Sequence, residues 1–85
     1  MEFENFLNII ITEIRQMASD GSAPPDLAMK ELFAHTELKE LNLDSLGKLS
    51  LLSAVEDRAD VILGEGDLHG IQTLGDLAKA VKELT

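Results

Sequence analysis

LNLDSLGKLSLLSAVEDRADVILGEGDLHGIQTLGDLAKAV, Leu41 to Val81, is the stretch whose periodicity decides the fold. Asp44 is a preferred N-cap residue, and Ser45 is the first residue inside the helix that follows it. At 100° per residue, Leu49, Leu51, Leu52, Val55 and Ala59 form the inward side, and Leu46, Ser50, Ser53, Glu56, Asp57 and Asp60 share the opposite one. Leu46 is thus an apolar residue on a polar face, placed either to pack on the preceding loop or to touch a partner protein. Gly64, Gly66 and Gly70 then leave room for one short helical turn at most, around Asp67–His69. Their Gly-x-Gly has no preceding strand and no following helix at the right spacing, so it is not a dinucleotide fingerprint. Thr73 and Asp76 offer a capping-box-like start, and Leu74, Leu77, Ala78, Val81 and Leu84 make the last apolar stripe.

Toward the N-terminus, Phe3, Phe6, Leu7, Ile10, Ile11, Ile14, Met17 and Ala18 fall on one stripe, which predicts an amphipathic helix from Glu2 to Ala18. The run SDGSAPPD breaks it through a glycine and two prolines. Ser19 to Asn42 has too many interruptions for a continuous helix and reads as a structured loop. Leu32, Phe33, Leu38, Leu41 and Leu43 are available to pin it to the core. His35 stands alone there, without the second ligand that a metal site needs. The expectation is all-α: a four-helix bundle in one domain, residues 1–85, with a long loop between helices 1 and 2 and a short third helix.

Composition narrows the function. A chain of 85 residues without cysteine has neither disulfide nor Cys/His metal cluster to hold it, so packed apolar side chains must. Any thiol chemistry has to use a borrowed sulfur. Sixteen Asp/Glu against seven Lys/Arg give −9, which repels phosphate backbones, so no nucleic acid is expected and partners should be basic. No run approaches the roughly 18 apolar residues of a membrane span, and no basic leader precedes an apolar stretch. A cytoplasmic monomer is expected.

From Leu41 onward the chain resembles the acyl carrier protein family without a gap. Asp44-Ser45-Leu46 is similar to that family's attachment motif, and Thr73-Leu74-Gly75-Asp76 to the start of its last helix, at the family's spacing. The length, the acidity and the long first loop extend the resemblance over nearly the whole chain. It implies a discrete carrier in which Ser45 accepts a covalent 4′-phosphopantetheine arm from coenzyme A, flanked by Asp44 and Leu46. A separate phosphopantetheinyl transferase, working with Mg²⁺, would attach the arm, and the arm's thiol would carry acyl groups as thioesters. Ser45 would therefore be a substrate of other enzymes. No catalytic residue and no resident metal are expected, because no general base stands near Ser45 in sequence except Lys48, on another face. A phosphodiester on a helix's first residue would lie against free backbone N–H groups and the positive end of the dipole.

The expected partners are acyl-loading ligases or synthases with basic docking patches. They would engage a face made of Leu46, Ser50, Ser53, Glu56, Asp57 and Asp60. Gly47 and Ser50 stand where fatty-acid-synthesis members usually place acids. Ala59 replaces an inward aromatic, and Ser53 a bulky apolar residue. These departures favour a specialised pathway, with bulk fatty-acid synthesis or a D-alanyl-type carrier as the alternatives. A reading from another class is an acidic helical interaction module that is never modified. An enzyme acting alone is the least supported, since no constellation of acid, base and nucleophile is visible.

Overall fold

In a computed structural model, described for residues 2–64, 66 and 70–85, the chain forms helices α1 (Glu2–Asp20), α2 (Ser45–Ala59) and α3 (Leu74–Glu83). Two 3-10 turns, Pro25–Ala28 and Leu38–Leu41, lie in the connection between α1 and α2. No strand occurs among the described residues beyond an isolated bridge between Glu37 and Thr73. The short turn expected at Asp67–His69 lies outside the described residues.

Helix α1 carries Glu2 and Glu4 in its first turn, the sign the dipole favours there. It stops two residues later than expected, at Gly21, which takes φ +89°, while the Ser22 N–H donates to the Met17 carbonyl at 2.9 Å. That bond closes the helix in the Schellman manner, where glycine meets no Cβ penalty. Its buried face, Ile10, Ile14, Met17 and Ala18, packs against both α2 and α3. Leu51 and Val55 from α2 and Leu74, Leu77, Ala78 and Val81 from α3 complete the centre of the core.

The long connection is ordered by two devices. The first is Arg15, whose Nη1 donates to the carbonyls of Leu27, Ala28 and Lys30, each at 3.1 Å. The second is a backbone clamp. Leu38 N–H donates to Gln72 O at 2.8 Å, Leu74 N–H to Thr36 O at 2.9 Å and Gly75 N–H to Ala34 O at 2.7 Å. Leu27, Leu32 and Leu41 are buried under it, with Leu38 and Leu43 partly buried, as expected of residues that pin a loop. Phe33 is the exception: it is half exposed and stacks on His35, with ring centroids 5.2 Å apart, instead of entering the core. Leu84 also departs from its stripe, because α3 ends at Glu83 and leaves it half exposed as the C-cap.

Thr73 and Asp76 form the capping box that their spacing implied. Thr73 Oγ1 accepts from Asp76 N at 3.0 Å, and Asp76 Oδ2 accepts from Thr73 N and Gln72 N, both at 3.1 Å. The Gln72 and Thr73 N–H groups, aided by Lys79, hold the Asp76 carboxyl below its ordinary 3.8. A lowered folded value means the contribution is whole above the unfolded pKa and is lost as pH falls through the folded one. Stability should therefore decline below about pH 4, and an acid titration by circular dichroism should find that decline shallower in Asp76→Asn. Thr73→Ala, which removes the other half of the box, should cost about 1 kcal/mol in denaturant unfolding.

Gly75 offers a sharper test of the clamp. A Cβ there would stand 2.9 Å from the Ala34 carbonyl oxygen, a backbone atom that has little freedom to retreat. In an open helix, Gly→Ala gains roughly 1 kcal/mol; here overpacking of about 1–3 kcal/mol opposes it. Gly75→Ala should lower the melting temperature by several degrees, and a rise would show that the clamp yields freely.

Candidate functional site

The start of α2 is built from its cap inward. Asp44 takes an extended backbone, and its Oδ1 accepts from Gly47 N at 2.7 Å, while its carbonyl accepts from Lys48 N at 3.0 Å. These two bonds satisfy the third and fourth N–H groups of the helix. Those of Ser45 and Leu46 have no acceptor among the described residues and stay free for an anion placed at the serine. Ser45 is exposed at the first helical position. A phosphodiester on its hydroxyl fits this arrangement, since the charge would meet two N–H donors that have no acceptor among the described residues, while the Oδ1 of the adjacent Asp44 is engaged.

Leu46 is 72% exposed, so it does not pack on the preceding loop. Leu49 was expected to face inward, yet it is 63% exposed. The inward side is centred on Gly47, Leu51 and Val55, which are buried. Leu49 stands about 200° around the helix from Leu51, on the side of Leu46 and Ser53. Its three-residue spacing from Leu46 was the signal that could have placed it there. The outer face thus carries two adjacent leucines beside the serine.

Gly47 also lies elsewhere than its sequence position suggested. It does not strip acidity from the outer face, because it is buried. A Cβ at that position would approach the cap oxygen of Asp44 at 3.2 Å and Leu43 at 3.4 Å. Ser50, Ser53 and Asp57 are exposed on the outer side as expected.

Glu56 is a correction in part. It is half-buried, and its Oε2 accepts from Leu63 N at 2.6 Å. Its carbonyl accepts from the Asp60 and Val61 N–H groups. Asp60 takes φ 58° to make that ending possible, a conformation that short polar side chains tolerate better than most. Glu56 therefore closes α2, although it still lines a hollow of about 310 Å³ with Ser53, Asp57, Asp60, Val61 and Ile62. Ile62 is 84% exposed there and escaped the sequence reading, because no helical periodicity extends past Asp60. On the other side of α2, Leu38, Lys48, Leu51, Leu52, Ile71 and Leu77 line an apolar cavity of about 80 Å³.

With the serine, its cap and its free N–H groups placed, the comparison with known families becomes decisive. The family described as phosphopantetheine attachment site matches residues 26–81, which hold Asp44, Ser45, all of α2 and most of α3. The chain belongs to that family. Phosphopantetheine-attachment-site domains are carriers rather than catalysts, and the group they receive is covalent 4′-phosphopantetheine. Membership implies a phosphopantetheinyl transferase and acyl-handling enzymes as partners. No curated protein and no solved structure matches the chain. No helix among the described residues is long and apolar enough to cross a membrane.

The cap should be measurable in isolation. Asp44→Ala leaves the Gly47 N–H without its acceptor and should cost about 1 kcal/mol in urea unfolding, with helix content at room temperature nearly unchanged.

Proposed function

We propose that the chain, residues 1–85 acting as one carrier domain, is an acyl carrier protein in which Ser45 bears the phosphopantetheine arm. The supporting observation is the exposed serine on the first residue of α2, inside the matched span and beside two N–H groups that lack an acceptor among the described residues. In attachment, the Ser45 oxygen bonds to the β-phosphorus of coenzyme A and the bond from that phosphorus to the bridging oxygen breaks. Adenosine 3′,5′-bisphosphate leaves, and the hydroxyl proton passes to a base on the transferase. The bound arm supplies a terminal thiol for thioesters, which the cysteine-free chain lacks. The residues around it orient and expose it: Asp44 fixes the helix start, and Leu46 and Leu49 offer apolar contact next to the attachment point.

The docking face runs from Leu46 and Leu49 through Ser50 and Ser53 to Asp57 and Asp60. It is apolar near the arm and acidic only in its second half. A basic patch on an acyl-loading enzyme would fix register through the acids while the leucines dock close to the arm. Early turns without carboxylates, with Ser50 exposed and Lys48 positive, support a specialised pathway over bulk fatty-acid synthesis.

Incubation with coenzyme A, Mg²⁺ and a broad-specificity transferase should add the mass of one phosphopantetheine. Ser45→Ala should abolish that gain while keeping the helical spectrum. Label on Ser50 or Ser53 would overturn the assignment, and an unchanged mass would favour an unmodified interaction module. With the same transferase, Leu46→Ala and Leu49→Ala should each lower kcat/KM roughly 5- to 10-fold, the effect of losing about 1 kcal/mol at an interface anchor.

A further inference from the structure

Helix α2 has two basic residues, Lys48 and Arg58, and Arg58 is held by Glu13 at 2.7 Å. Lys48 is exposed, and its side chain makes no hydrogen bond or ion pair among the described residues. The carboxylates around it are engaged elsewhere. Asp44, four residues earlier, accepts from Gly47 N through Oδ1 at 2.7 Å. Glu37, which lines a hollow together with Lys48, pairs with Lys39 at 3.2 Å. In a chain of net charge −9, an uncompensated cation therefore stands one turn from Ser45. Helical geometry directs it toward the serine. Residues three apart are neighbours on a helix surface, and side chains lean toward the helix N-terminus, so the lysine stem can run back over the turn that Ser45 begins. At about 100° per residue, Lys48 lies roughly 60° around α2 from Ser45 on one side, with Leu49 roughly 40° and Leu46 about 100° away on the other. The lysine that sequence order set on another face is thus a neighbour of the serine.

Resting on the assignment of Ser45 as the attachment site, we infer that Lys48 is a positioning residue: its ammonium pairs with the phosphodiester of the arm and holds the arm's root to its own side of α2, clear of Leu46 and Leu49. The diester adds a negative charge to a chain that already repels itself. The N–H groups of Ser45 and Leu46 lie along the helix axis and steady that charge, but an axial contact does not choose a side. Lys48 lies off the axis and does choose one. The consequence concerns presentation. The arm begins with a pantoyl unit, whose two methyl groups would otherwise settle on the exposed leucines and cover the surface that a partner enzyme docks on. An exposed ion pair is weak and screened by salt, so it biases the root while leaving the arm free to enter an active site.

The test uses the holo-protein made with coenzyme A, Mg²⁺ and a broad-specificity transferase, with intact mass confirming each product. In the wild type, nuclear Overhauser contacts should join the Lys48 ε-protons to the pantoyl methyls, and none should join those methyls to Leu46 or Leu49. Lys48→Met should bring the methyls onto the leucines and shift the ³¹P resonance of the phosphodiester. Lys48→Arg should restore the wild-type pattern, and about 0.5 M salt should move the wild type toward that of Lys48→Met. Lys82→Met, an equal loss of charge on α3, should leave both readouts unchanged. The change in melting temperature on attachment of the arm should be about 1–4 °C more favourable in the wild type than in Lys48→Met. Pantoyl contacts with the leucines in the wild type, a phosphorus resonance indifferent to Lys48→Met, or the same shift produced by Lys82→Met would each overturn the inference and leave the attachment site standing. Failure to gain mass at all would overturn both.

Discussion

The hydrogen bond from Gly75 to the Ala34 carbonyl, with its neighbours at Leu74 and Leu38, is the constraint on which the rest of the fold depends. It joins the long first connection to the start of α3 across roughly forty residues of sequence, at a considerable cost in loop-closure entropy. The return is that the connection becomes part of the core. Leu27, Leu32 and Leu41 are buried beneath it, and Thr36, buried and polar, has its hydroxyl accepting from Phe33 N at 2.8 Å. With no disulfide, and no strand among the described residues, this short ladder does what a sheet edge or a crosslink would do in another small domain. Its closeness also explains a glycine at position 75, where any side chain would meet backbone.

The clamp presents α2 rather than burying it. One side of that helix, Gly47, Leu51 and Val55, faces the core, and the other is left to solvent from Leu46 to Asp57. The two ends are stabilised by groups at or next to the helix termini: Asp44 at the start, and Glu56 with Asp60 at the finish. A carrier needs this combination. Its attachment residue must be reachable by several enzymes in turn, so the elements that hold it in place have to come from below and from the termini. Arg58, bonded to Glu13 at 2.7 Å, adds a link from α2 back to α1 without covering the outer face.

Much of this was legible in the sequence, for identifiable reasons. Asp44, Thr73 and Asp76 act on N–H groups three or four residues away, so local spacing suffices to read them. The stripe of α1 is legible because the helix is long and one-sided. Leu49 and Phe33 were misplaced because α2 has apolar residues on more than one side and the loop has no period at all. Which leucine is covered then depends on what packs over it. Glu56 was read from its charge, while its role came from a seven-residue reach to Leu63 that only the turn at Asp60 makes possible. The cavity beside Lys48 joins side chains from three separate parts of the chain, so no single segment announces it.

One guanidinium nitrogen of Arg15 serves three carbonyls in the first half of the long connection. Its two protons are shared among the carbonyls of Leu27, Ala28 and Lys30, so one side chain of α1 ties down both the 3-10 turn and the residues after it. The start of α3 is held differently, by the Asp76 carboxyl, which the Gln72 and Thr73 N–H groups keep below its ordinary pKa. One connection is thus fastened by two unlike latches: shared donation from a single arginine at its first half, and a carboxylate whose hold weakens in acid at its second.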